Sequence, residues 1–260
     1  MMLAGDTALF TEVALRVFPV VGERIRKEPK HWWSVNDVAE LYVQHLKAAR
    51  LKRSDTAILA PLGLDHNSFI KRQQEMLPEL ATRIANQVQA FDPGSVQAII
   101  AGVDPTGAHI YVATDAELDC HDHVGFASVG VGAWHANSQL MFGEHAKSDP
   151  LPATLLLVYS AKKRAEVAPG VGRNTDMFLI SGLGGHVPVA PNVIQELEAI
   201  YQREKERIKE AEATGRVETQ EYVERLVKEA GEKASENKQK DDSKAPDEIP
   251  KAGASADGVT

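Results

Sequence analysis

The strongest constraint in this sequence is a change of hydrophobic period at Pro93-Gly94. Before it, apolar residues recur three and four positions apart, and after it they fall in short runs closed by turn residues. The first pattern gives one apolar stripe along a helix, and the second suits strands that bury a face. A chain that switches in this way must set helices against a sheet, so the expected class is α+β.

The first helix is predicted from Thr7 to about Arg26, where Leu9, Val13, Val17 and Val20 recur with Phe10, Ala14 and Val21. After Pro29 and Trp32-Trp33, Ser34 precedes Asp37 by three residues, and Val38, Leu41, Tyr42 and Leu46 follow on one face. A second helix should therefore start at Ser34. Residues 51–68 are less periodic, with Pro61, Gly63 and Asp65-His66-Asn67-Ser68, and are expected to loop. A third helix is expected from Phe69 to Phe91.

In the second half, Val96 to Val103 and Ala108 to Ala113 read as a hairpin turning at Asp104-Pro105-Thr106-Gly107. His123 to Gly132 reads as a further strand ending in a glycine bend. Two helices are expected at Asn137 to Ala146 and Pro152 to Glu166, and two strands at Thr175 to Ser181 and His186 to Val189. Pro191 suits the first turn of another helix. From 203 to 233 charges of both signs interleave, which predicts a solvated helical extension with a break at Thr214-Gly215, or a short coiled-coil arm using Val217, Tyr222, Leu226 and Ala230. Residues 234–260 have almost no apolar content and are expected to be a disordered tail. The expected domain spans 1–202.

Composition narrows the function. The chain has 260 residues and a formal charge of −8; this balance lacks the cationic excess that phosphate neutralisation needs, so no nucleic-acid partner is expected. No apolar run is long enough to span a membrane and the amino end does not read as a secretory signal, so a cytoplasmic location is expected. One cysteine, Cys120, leaves no internal disulfide. The glycine clusters at 170–172 and 182–185 lack the Walker lysine and the dinucleotide spacing, read as turns, and imply no cofactor.

Five segments carry a family resemblance. Ile99-Ile100-Ala101-Gly102-Val103-Asp104, Gly107-Ala108-His109-Ile110-Tyr111, Ser128-Val129-Gly130-Val131-Gly132 and Thr175-Asp176-Met177-Phe178-Leu179-Ile180 occur in that order. Upstream, Leu3-Ala4-Gly5-Asp6-Thr7-Ala8 resembles the junction from which a first helix leaves a sheet. Together they resemble a proteasome β-type subunit, a member of the N-terminal-nucleophile (Ntn) hydrolases. The resemblance implies an αββα four-layer sandwich, here incomplete at its amino end and followed by the charged extension. It also implies a threonine-type peptidase ancestry acting on peptide or protein substrates, and packing into a homo-oligomer or a ring with related partners.

In that family the nucleophile begins the first strand and its own α-amino group is the base. Those strands are expected to be absent here, so the chain as given should be inactive. Thr7 is the one threonine that processing could expose, yet it precedes a helical pattern. Glu166 could stand for the family's accessory acid, with a charged helix end as the simpler reading. The bend position that carries a serine in active members holds Val131, which cannot hydrogen-bond through its side chain. A non-catalytic assembly subunit is the alternative. A third reading is metal binding at Asp119-Cys120-His121-Asp122-His123, where His121 and His123 would share a strand face and would need a distant partner; no metal site is expected from them alone.

Overall fold

The computed structural model describes residues 1–28, 33–115, 117–182 and 185–242, with side chains up to Lys233. Pro29 and Trp32 of the expected linker, Leu183 and Gly184 of the expected glycine turn, and the tail beyond Asp242 lie outside the described residues.

The chain opens with a short strand, β1 (Met2–Gly5), and turns at once into α1 (Thr7–Lys27). Asp6 makes that turn possible: its carboxylate accepts the Ala8 and Leu9 N–H groups at 2.8 and 3.1 Å, satisfying donors that the first helical turn leaves free. The helix α2 (Val35–Ser54) starts after Ser34, whose side chain accepts from the Asp37 N–H as the sequence predicts. Leu9, Val13 and Val17 of α1 meet Ala39, Tyr42, Leu46 and Ala49 of α2 over Val96, Ala98 and Ile100, alternate residues of β2 (Val96–Asp104). This is the main core.

The sheet is antiparallel in the order β1-β2-β3-β4, with β3 at Gly107–Ala113 and β4 at Leu118–Cys120. In the predicted hairpin Asp104 faces Gly107 and Ala98 faces Ala113. On the face of β2 away from α2, Ile99 helps line a cavity whose far wall is α5 (Ala133–Phe142) and α6 (Leu151–Ala165). A separate two-stranded ribbon, β5 (Phe178–Ile180) with β6 (His186–Pro188), follows. The class is therefore α+β, with helices outweighing strands.

Several expectations are corrected. The expected loop at 51–68 is largely helical: α2 runs to Ser54, a π-helical turn spans Asp55–Leu59, and a 3-10 turn covers Ala60–Leu62. Pro61 sits in the first turn, where its missing N–H costs nothing, and Gly63 closes the segment at φ 70°. The residues that suggested a loop are helix-end devices. The expected helix 69–91 is instead two, α3 (His66–Arg72) and α4 (Pro78–Ala90). Pro78 forbids the helical conformation to Leu77, whose ψ is 129°. These helices close over Leu59, Phe69 and Ile84 as a second small core.

The expected strand 123–132 is absent. Asp122 Oδ1 takes the Ile110 N–H at 2.8 Å, so a side chain replaces the next ladder partner, and Gly125 and Gly130 turn the backbone at φ 82° and 93°. The helix expected from Asn137 to Ala146 begins earlier, at Ala133, and ends before Gly143. Finally, α7 (Pro191–Asp242) is one helix without a break at Thr214-Gly215, and it takes in 234–242, the start of the expected disordered tail. A single glycine inside a helix costs about 1 kcal/mol, which the flanking strong helix formers outweigh.

Two compact units divide α7 near Tyr201. In the first unit, Leu197 is buried and Tyr201 meets Tyr159 edge-on at 6.3 Å. In the second, residues 202–233 are almost wholly exposed. Among the described residues no helix is long and apolar enough to cross a membrane.

Leu46 has no exposed surface and joins α1, α2 and the sheet. Leu46→Ala should destabilise the first unit by about 2–5 kcal/mol, measured by urea unfolding. A loss below about 1 kcal/mol would mean that this contact is not central to the core.

Candidate functional site

The end of β1, the glycine bend at 128–132, the start of α5 and the end of α6 converge on one groove of about 630 Å³. The convergence is set by close backbone approach. A Cβ on Gly130 would lie 2.9 Å from the Ala4 Cβ, and one on Gly132 would lie 2.8 Å from the Ala165 Cβ and 2.9 Å from its carbonyl oxygen. The bend is held further by the Gly130 N–H, which donates to Gln97 Oε1 at 3.0 Å, and by the Ser128 hydroxyl, which faces Asn137 Oδ1 at 2.7 Å and the Ala133 carbonyl at 2.9 Å. A second, more apolar cavity of about 320 Å³ adjoins it; Ser128, Val129, Ala136 and Ala165 border both.

The groove brings together little reactive chemistry. Val131 lines it, Ser128 is engaged, and Lys162 borders the adjoining cavity. Glu166 lies nearby at the end of α6 but is held by Lys162 and by Lys163, the latter at 3.0 Å. Burial pushes the Glu166 carboxyl up, and the hydrogen bonds from the two lysines outweigh it and keep the group below its ordinary value. Lys163 also meets Glu198 at 3.3 Å, and Glu198 accepts the Tyr159 hydroxyl. Burial, then Glu198, raises the Tyr159 pKa. Lys162 donates to the Gly172 carbonyl at 2.9 Å, tying the loop after α6 to the helix. Glu166 therefore sits in an ion-paired helix end.

Thr7 is the first residue of α1 and its carbonyl accepts the Thr11 hydroxyl at 2.8 Å. Joined to Asp6, it has no free α-amino group. Cleavage before it would remove the residue that caps the helix.

The motif at 119–123 also resolves differently from its sequence reading. Cys120 ends β4, and His121 and His123 occupy a turn rather than a strand, so strand alternation does not place them together. Among the described residues no group of three or more His, Cys, Asp or Glu side chains is placed to hold a metal ion.

Asp122 belongs instead to a cluster that sequence reasoning missed. His109 Nδ1 lies 2.5 Å from Asp122 Oδ2, and its Nε2 lies 2.7 Å from Thr106 Oγ1 and 3.1 Å from Asp104 Oδ1. Asp104 Oδ1 also accepts the Thr106 hydroxyl at 2.6 Å and the Thr106 N–H at 2.8 Å, while its Oδ2 accepts the Val35 N–H at 3.0 Å. Hydroxyl, imidazole and carboxylate in a row have the connectivity of a nucleophile, base and orienting acid. The surrounding charge works against that use. Asp122 faces Nδ1 and Asp104 lies 3.1 Å from Nε2, and two carboxylates beside the ring favour the imidazolium. An imidazolium cannot take the Thr106 proton. The signal that could have found this cluster was His109 opposite Gly102 and close to a turn carrying Asp104 and Thr106.

Compared with models of known protein families and with curated proteins, the chain matches none.

Gly132→Val should separate α5 from α6, because Ala165 presents backbone as well as side chain to the new Cβ. The expected cost is about 1–3 kcal/mol in thermal or urea unfolding. Wild-type stability in this variant would refute the close approach.

Proposed function

We propose that the chain is a proteasome-like subunit of the Ntn type that contributes a folded body to an assembly and does not itself cleave peptides. The observation that carries the reading is the order of elements: strand, four helices, three antiparallel strands, glycine bend, helix pair, short strand pair, helix. The bend closes onto β1, as expected where the family's first helix leaves its sheet. The four-layer sandwich would then need strands beside β1, whose outer edge has no partner strand among the described residues.

The non-catalytic part rests on chemistry. Thr7 lies inside the chain at a capped helix start, Val131 occupies the serine position of the bend, and Glu166 is committed to two lysines. An Ntn nucleophile needs its own amine and positioned supporting groups. The assembly part is supported by α5, which exposes 85% of Trp134 and 86% of Phe142. Large apolar side chains left this open suit a surface that a second copy covers.

The purified 260-residue chain should not turn over fluorogenic peptides, and Thr7→Ala should leave that baseline unchanged. Turnover abolished by Thr7→Ala would overturn the non-catalytic reading. Sedimentation should show an oligomer at micromolar concentration that Trp134→Glu with Phe142→Glu weakens. A stable, monodisperse monomer would overturn the assembly reading.

A further inference from the structure

The cluster around His109 joins the turn of the β2-β3 hairpin to two segments that lie farther off in the chain. Asp104 ends β2, Thr106 lies in the hairpin turn, His109 is in β3, Asp122 follows β4, and Val35 begins α2. We propose that His109 is a pH-sensitive latch whose charged imidazole ties the hairpin turn to the segment after β4 and steadies the carboxylate that anchors the amino end of α2.

A charged imidazole gives one set of proton positions that suits these contacts. In the latched state Nδ1–H donates to Asp122, Nε2–H donates to Asp104, and the Thr106 hydroxyl donates to Asp104. The groups facing the ring are Asp104 from β2, Asp122 from beyond β4, and Tyr111 from β3 with its ring 6.4 Å away. Cys120 lies beside Tyr111, and from α2 the group that meets Asp104 is the Val35 N–H. Two facing carboxylates favour the cation.

Loss of one proton changes the bonding pattern. With Nδ1–H kept on Asp122, Nε2 becomes an acceptor and faces Asp104 Oδ1 at 3.1 Å with no hydrogen between them. The Thr106 hydroxyl can then turn to Nε2, which removes a second donor from Asp104. Asp104 is left holding the Thr106 and Val35 N–H groups alone.

The hydrogen bond to Asp122, then the nearby charge of Asp104, raises the His109 pKa against the opposing effect of burial. A raised folded-state pKa contributes stability that is complete below the ordinary histidine value and is lost as pH rises through the folded value. The carboxylates work in the other direction. Asp104 is held low first by the Thr106 hydroxyl and then by the Val35 N–H. In Asp122, burial pushes the group up, but the Ile110 N–H and His109 outweigh it. Their contribution is present above the ordinary carboxyl range and is lost as pH falls through their folded values. The latch is therefore closed between the carboxylate and imidazole titrations.

The test is imidazole NMR on the full chain, together with melting temperatures of wild type and His109→Gln from about pH 6 to about pH 9. The His109 midpoint should lie above the ordinary 6.5, each unit marking about a tenfold folded-state preference for the cation. The stability advantage of wild type over His109→Gln should shrink as pH rises through that midpoint. Protection of the Val35 N–H from exchange should fall in step in wild type alone. A midpoint at or below the ordinary value, or a stability difference that does not vary with pH, would overturn the latch. Should His109→Gln fail to fold, Asp122→Asn serves instead: it must lower the His109 midpoint, and an unchanged midpoint is equally fatal.

Discussion

Aspartates at both ends of α2 hold the helix to the rest of the first unit, and most of that unit follows from this arrangement. At the amino end, Asp104 takes the Val35 N–H. At the carboxyl end, Arg53 reaches Asp6 at 2.7 Å and the Pro93 carbonyl at 3.0 Å, while Arg50 pairs with Asp115 at 2.9 Å and donates to the Gly94 carbonyl. Both ends obey the helix dipole, with a carboxylate at the start and cations at the finish. Partly exposed ion pairs of this kind contribute modestly to stability. Their effect is on register, since they fix where Tyr42 and Leu46 meet β2, and apolar burial supplies the larger energy. Asp6 is doubly used, capping α1 and receiving Arg53, so one residue starts α1 and holds the end of α2 beside that start.

Periodicity made the main core legible. Most of the residues that called for the first two helices and the hairpin are buried between them, because a stripe three or four apart and an alternation of two each encode one face, although Val20 of the first stripe is 43% exposed. It failed where a side chain did the work of backbone. The strand expected at 123–132 ends because Asp122 takes the Ile110 N–H and two glycines turn the chain, and neither event leaves a trace in apolar spacing. The segment 51–68 failed for the opposite reason. Pro61, Gly63 and Asp65 are loop letters by composition, but each is also a device for starting or ending a helical turn, and only the packing of Leu59 on Phe69 and Ile84 selects that use.

The glycine bend was visible in the sequence, though its reason was not. Gly130 and Gly132 are required by what comes from elsewhere in the chain, Ala4 on β1 and Ala165 on α6. Small residues on both partners let the bend wedge between the sheet and the helix pair, and the groove is the space left beside it. Ala4 and Ala165 lie more than a hundred residues apart, so no local pattern could have paired them.

The same long-range pairing decides the chemistry. Glu166 and His109 are the two ionisable groups that sequence or geometry would first nominate as acid and base, and both are surrounded by opposite charge. Lys162 and Lys163 favour the carboxylate form of Glu166, and Asp104 and Asp122 favour the charged form of His109. General acid–base catalysis needs a group poised between its two forms near the working pH. The lysines move Glu166 away from that point, whereas the aspartates raise His109 from its ordinary value and make its charge part of the tie. These shifts follow from using charge to fasten elements together. The lysines that hold Glu166 also reach Glu198 and the Gly172 carbonyl, and the aspartates that hold His109 also take the Val35 and Ile110 N–H groups, so both groups belong to ties between elements.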